Sequence, residues 1–216
     1  MIKVNNIHHS YGNLKVLEGI NFNINKGDFV SIVGSSGAGK TTLLHLIGTL
    51  DKIQKGEIEI NGKIINNLSD KNLAIFRNQE IGFIFQFHNL LQEFTALENI
   101  YLPALIYGES LNIAEKKAIE ILKILNLQNR SNHKPNELSG GEKQKIAVAR
   151  ALINKPSIIL ADEPTGNLDS KNSDELYKLF LRLNSELEQT FLIITHNPTL
   201  SNLADYKLKI KDGKII

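Results

Sequence analysis

Apolar side chains follow two rhythms along this chain. Near the start, "IKVNNIHHSY" and "EGINFNI" alternate apolar and polar residues around Gly12, Gly19 and Gly27, which predicts small antiparallel strands. "DFVSIVG" at 28–34 is instead a short, mainly apolar run that ends in glycine. Behind it, "KTTLLHLIGTL" at 40–50 sets leucines at helical spacing, so the pair predicts strand, loop, helix. "GEIEINGKII" at 56–65 predicts a hairpin turned at Asn61-Gly62, a dipeptide that accepts the positive φ angles of a tight turn. "IGFIFQ" at 81–86 predicts another buried strand.

From about 87 to 155 the period changes. "LENIYLPALIYG", "NIAEKKAIEILKILNL" and "GEKQKIAVARALI" all place apolar residues three and four apart, which predicts a helical insertion. Strand-like runs return in "SIILAD" and "TFLIITH", each followed by a helical pattern, and "YKLKIKDGKII" predicts a closing hairpin. Strands alternating with helices predict an α/β fold with a mainly parallel sheet covered on both faces.

At 216 residues the chain suits one large domain, or one domain carrying an inserted subdomain. Its 25 basic and 23 acidic residues leave a net charge of +2, too mild to argue for a nucleic-acid partner. The absence of cysteine excludes disulfides and Cys-based metal sites. The first residues hold no apolar stretch of signal-peptide length, and no run approaches the length of a membrane span.

The chemistry concentrates at strand ends. "GSSGAGKT" at 34–41 fits G-x-x-x-x-G-K-[ST], with Gly34, Gly39, Lys40 and Thr41 at the fixed positions and Ser35, Ser36, Gly37 and Ala38 between them. Such a loop turns backbone N–H groups toward phosphate oxygens and the next helix adds its positive N-terminus, through Lys40, Thr41 and Thr42. Lys40 then reaches the β/γ-phosphates and Thr41 offers a hydroxyl to Mg²⁺. "SIILADEP" delivers Asp162 and Glu163 to the end of a buried strand, Asp162 toward Mg²⁺ and Glu163 toward a water attacking the γ-phosphate. His196 ends a second buried strand, and Gln86 closes a third, where it could reach the metal edge of the site. Tyr11 is either an exposed edge aromatic or a stacking platform for adenine. His8, His9, His45, His88 and His133 lack metal-like spacing and read as structural or surface residues.

"LSGGEKQ" at 138–144 is a second glycine-rich loop. Ser139 with Glu142 three residues on has the form of a capping box. A cap needs only the serine, so Gly140 and Gly141 predict bare N–H groups offered to an anion.

These elements, in this order and over essentially the whole chain, resemble the ATP-binding cassette family. The resemblance implies a single cassette over 1–216, with 1–86 and 156–216 forming the nucleotide-binding core and 87–155 a helical subdomain. It implies ATP and Mg²⁺ as ligands and a homodimer in which Ser139, Gly140, Gly141 and Asp169 meet, in trans, the nucleotide held by the partner's loop. It further casts Glu163 as catalytic base, His196 as switch histidine, Gln86 as the Q-loop residue and Tyr11 as the adenine platform. "FIFQFHNLLQEFTALENIYLPAL" and "NHKPNELSGGEKQKIAVARALINKPSIILADEPTGNLDSKN" are similar to ATP-binding subunits of lipoprotein-releasing transporters, and also to those of macrolide exporters and cell-division complexes. That implies integral membrane partners, in the first case a lipoprotein-releasing pair, and a peripheral position on the cytoplasmic side of a bacterial inner membrane. Phe87, Leu90, Leu91 and Phe94 are expected to be exposed as its docking surface. Lys143 and Lys145 depart from the glutamine or arginine usual in relatives, which loses an arginine's planar fork.

Overall fold

The computed structural model describes all 216 residues. Its strands are β1 (Ile2–Tyr11), β2 (Leu14–Ile24), β3 (Phe29–Val33), β4 (Lys55–Ile60), β5 (Lys63–Ile64), β6 (Ile81–Phe85), β7 (Ile158–Asp162), β8 (Thr190–Ile194), β9 (Tyr206–Lys211) and β10 (Lys214–Ile215). Its α-helices are α1 (Lys40–Ile47), α2 (Asp70–Glu80), α3 (Ala96–Tyr107), α4 (Leu111–Ile124), α5 (Gly140–Leu152), α6 (Ser170–Leu187) and α7 (Pro198–Asn202).

Two sheets form. The first runs β2-β1-β4-β5 and is antiparallel throughout. Its β4–β5 turn falls at Asn61 (φ 51°) and Gly62 (φ 76°), the two positive angles that dipeptide tolerates. The second runs β10-β9-β3-β8-β7-β6, parallel in every pairing except β9 with β10.

The central strands are apolar without alternation because both faces are covered. On β7, Ile158 and Leu160 join the core shared with α1, α2 and the antiparallel sheet, while Ile159 and Ala161 join the core shared with α3 to α6. On β8, Leu192 and Ile194 divide from Phe191 and Ile193 in the same way. Burial on this scale, at about 25 cal/mol per Å² of apolar surface, is what holds the strand ends in place.

Helices occupy the segment after β6. The capping box of α3 pairs Thr95 with Glu98, and Gly108 ends that helix at φ 104°. α4 buries Ala114, Ala118 and Leu122, one side chain per turn. α2 was not expected from the sequence. It buries only Phe76 and rests on a Ser69 cap that accepts from Asn72 N, so it offers little apolar period to read. No helix is long and apolar enough to cross a membrane.

Candidate nucleotide site

The order of the parallel strands assembles the site. β3, β8 and β7 are neighbours, with Ile32 in register with Ile194 and Ile194 with Asp162, so their carboxyl ends stop at one level. Thr195 N donates to Ile32 O and Glu163 N to Ile194 O, which extends that ladder into the loops carrying His196 and Glu163. Ligands of open α/β sheets bind at such an edge.

The loop after β3 leads into α1. Gly39 stands at φ 99°, and a Cβ there would lie 2.7 Å from Leu17 Cδ2 and 2.8 Å from Val16 O, so the loop closes against β2 only with glycine. No side chain caps α1, leaving its first N–H groups for a ligand. Lys40 is buried and donates to Gly34 O (3.0 Å) and Ser35 O (2.8 Å), which holds its ammonium across the loop. The cleft beside it measures about 380 Å³ and is lined by Tyr11, Ser36, Gly37, Gly39, Lys40, Thr41, Thr42, Asp162, Glu163 and His196, with Leu14, Val16 and Ile194 as apolar wall. Ala38 is buried beneath it.

Thr41 Oγ1 donates to Asp162 Oδ2 at 3.1 Å, a hard oxygen pair of the kind that holds Mg²⁺ together with substrate phosphates. Glu163 has φ 45°, a left-handed conformation uncommon for a side chain of its size and a mark of strain held at a functional position. Its Oε2 accepts from His196 N at 3.2 Å, and its Oε1 lies 3.3 Å from His196 Nε2. That second approach lacks hydrogen-bond geometry, so Oε1 is a buried acceptor with no donor from the protein. Burial raises the Glu163 carboxyl above the ordinary carboxylate range, with Asp162 adding to the rise; the His196 backbone, its ring and Lys40 oppose it. A buried, proton-seeking carboxylate beside a phosphate loop suits a group that polarises water.

Gln86 differs from its expected placement. It lies outside the cleft lining, with Nε2 3.4 Å from Asn167 Oδ1 and its carbonyl accepting from Asn167 Nδ2 at 3.1 Å. The end of β6 is in register with Asp162, but the Gln86 amide is engaged with Asn167.

Ser139, Gly140, Gly141 and Asp169 also lie outside the cleft, and they are close to one another. Ser139 caps α5, accepting from Glu142 N while Glu142 Oε2 accepts from Ser139 N. Asp169 caps α6 through Asn172 N and binds Asn172 Nδ2, both at 2.8 Å. A Cβ on Gly141 would lie 2.1 Å from Asn172 Oδ1. The paired glycine therefore has a packing cause that spacing did not reveal: Gly141 lets α5 and α6 touch at their N-termini. At Gly140 a Cβ would meet only Leu168 Cδ2, at 3.7 Å, so that position is free to present backbone.

The segment after Gln86 is mixed. Phe87 (73% exposed), Leu91 (40%) and Phe94 (39%) face solvent, whereas Leu90 is core, contrary to expectation. Buried Asn99 fixes the stretch: its Oδ1 accepts from Leu91 N, and its Nδ2 donates to Leu91 O, Phe94 O and Thr95 O. Lys145 keeps an ion pair, 2.7 Å to Glu175 on α6, so the arginine fork is not required for that contact. A larger cleft of about 570 Å³ at the opposite edge, between Met1, Ile121, Leu152 and Leu187, offers no comparable convergence of phosphate-binding groups.

A phosphate loop, a carboxylate pair at the end of β7 and a glycine-rich capped helix in one chain define a nucleotide-binding cassette. Residues 17–166 match the ABC transporter family model, and the chain belongs to that family. It is 54% identical over 215 residues to the lipoprotein-releasing system ATP-binding protein LolD of Bacteroides thetaiotaomicron, covering 100% of this chain and 99% of that one. The protein of the same name from Porphyromonas gingivalis is 55% identical over 213 residues, with 99% and 97% covered. Among solved structures, the dimeric post-hydrolysis state of the ATP-binding cassette MJ0796 bound to ADP and Pi superposes with a TM-score of 0.91 at 42% identity, covering 100% of this chain and 96% of that one.

Proposed function

We propose that this chain is the ATP-hydrolysing subunit of a transporter that releases lipoproteins from the inner membrane to a periplasmic carrier, working as a homodimer beneath an integral membrane pair on the cytoplasmic side. The observation that carries the hydrolytic part is the convergence of Lys40, Thr41, Asp162, Glu163 and His196 on one cleft. Near full-length identity to the two lipoprotein-releasing relatives supports the cargo.

In this reading the N–H groups of 36–42 and the Lys40 ammonium bind the β- and γ-phosphates. Thr41 and Asp162 hold Mg²⁺, which supplies charge neutralisation at the phosphate oxygens when bound. Glu163 is the acceptor for the attacking water. His196 fixes the carboxylate through its backbone N–H, and its ring, beside Glu163, would contact the γ-phosphate. The patch of Ser139, Gly140, Gly141 and Asp169, set apart from the chain's own cleft, completes the site of a second copy. Gln86 would join Thr41 and Asp162 in holding Mg²⁺ once its side chain left Asn167, as closure of the dimer would allow. Phe87, together with Leu91 and Phe94, whose backbone Asn99 holds, forms the membrane partner's docking surface.

The test is co-purification. Replacing Leu91 and Phe94 with Ser and Asp leaves folding and nucleotide affinity near wild type and releases the ATPase from the lipoprotein-releasing pair. Retention of that pair with undiminished stimulation of hydrolysis refutes the docking assignment.

A further inference from the structure

Asp51 carries no role so far, yet it holds the residue expected to meet the base. Tyr11 lines the phosphate cleft and is 51% exposed, so few contacts set its ring. Its hydroxyl donates to Asp51 Oδ2 at 3.2 Å, and His9, itself buried, packs edge-on behind the ring with centroids 4.8 Å apart at 73°. Asp51 in turn belongs to the end of α1. Leu50 N and Asp51 N donate to His45 O, at 2.8 and 3.4 Å, and His45 Nδ1 lies 3.7 Å from Asp51 Oδ2. The N-terminus of α1 carries the phosphate loop and its C-terminus carries the Tyr11 anchor. The eight residues of α1, rising about 12 Å, therefore set the distance between cradle and ring.

We propose that Asp51 is a positioning residue for the nucleobase: through the Tyr11 hydroxyl it fixes the ring, against His9, as the stacking face for the adenine of a nucleotide whose phosphates lie on the loop. Tyr11 without this anchor samples other rotamers, and each binding event must then select the stacking one. The effect falls on the base and leaves the phosphates alone, because Asp51 donates nothing to the loop and Lys40 is held by Gly34 and Ser35.

The inference rests on the nucleotide reading of the cleft, and one binding series separates the two. ADP and inorganic pyrophosphate, neither of which offers a γ-phosphate to hydrolyse, are titrated calorimetrically against wild type, Asp51→Ala, Asp51→Asn, Tyr11→Phe, the double variant and Lys40→Ala. Asp51→Ala is expected to weaken ADP about 3- to 10-fold while changing pyrophosphate less than about 2-fold. Asp51→Asn retains an acceptor and stays near wild type. Tyr11→Phe matches Asp51→Ala, and the double variant is no worse than either. Equal weakening of both ligands, unchanged ADP affinity, or additive losses in the double variant overturn the proposal. Unchanged affinity of Lys40→Ala for pyrophosphate refutes instead the placement of phosphates on this loop.

Discussion

Asn99→Ala offers a magnitude that follows from a count of groups. The Asn99 side chain is 1% exposed and makes four hydrogen bonds to backbone of the preceding loop. Two of those carbonyls keep another donor after truncation, since Phe94 N donates to Leu91 O and Asn99 N to Thr95 O. Leu91 N and Phe94 O lose their only partners. At about 1–3 kcal/mol for each polar group left unpaired, with loop relaxation into solvent recovering part, the loss is about 2–4 kcal/mol. For a chain of this size that lowers Tm by about 4–16 °C. Urea unfolding at fixed pH measures the energy, and hydrogen exchange locates it: the amides of Leu91 and Phe94 lose protection first, because the other anchors of the loop, Arg150 at His88 and Asn89 and Glu98 at Thr95, flank that stretch. Destabilisation under about 1 kcal/mol, or unchanged protection across 90–95, would show that the exposed Leu91 and Phe94 are held by something other than Asn99.

Three further outcomes follow from the site. A Glu163 carboxyl raised mainly by burial must lose its proton to act on water, so kcat should fall on acidification with a midpoint above the ordinary 4.5 of a glutamate, and in kcat against pH the limb should be absent from the residual activity of Glu163→Gln. The sign for stability is opposite to that of a paired carboxylate: a proton binds the folded form more tightly, so Glu163→Gln gains stability over wild type near neutral pH and loses the advantage as pH falls through the Glu163 pKa, read from paired melting curves. Ser139→Arg should leave ADP affinity of the monomer within about 2-fold and abolish dimer closure and hydrolysis, as size exclusion with ATP and phosphate release would record; normal hydrolysis by a monomeric variant would contradict a shared site.

Much of this was legible in the sequence because local chemistry and fold agree. The apolar run ending at Gly34, the Asn61-Gly62 turn, and the acid and histidine ending two buried strands each carry their signal within a few residues. What escaped depends on neighbours far along the chain. Leu90 is core and Leu91 exposed, and an irregular loop has no period to tell them apart. The cause of Gly141 is Asn172, and the partner of Gln86 is Asn167; neither contact leaves a mark in the spacing of either motif. Asp51 sits just beyond an apolar helix, where an acid reads as an ordinary solvated residue, and its bond to Tyr11 spans 40 positions.

In the proposed reading Glu163 activates water in a cleft that binds nucleotide without it. The direct measurement is single-turnover hydrolysis of radiolabelled ATP by Glu163→Gln, with bound nucleotide and oligomeric state determined in the same sample. The account predicts ATP affinity within a few-fold of wild type, a hydrolysis rate lower by about 10²- to 10⁴-fold, and an ATP-bound dimer that persists. Hydrolysis within a few-fold of wild type would contradict it.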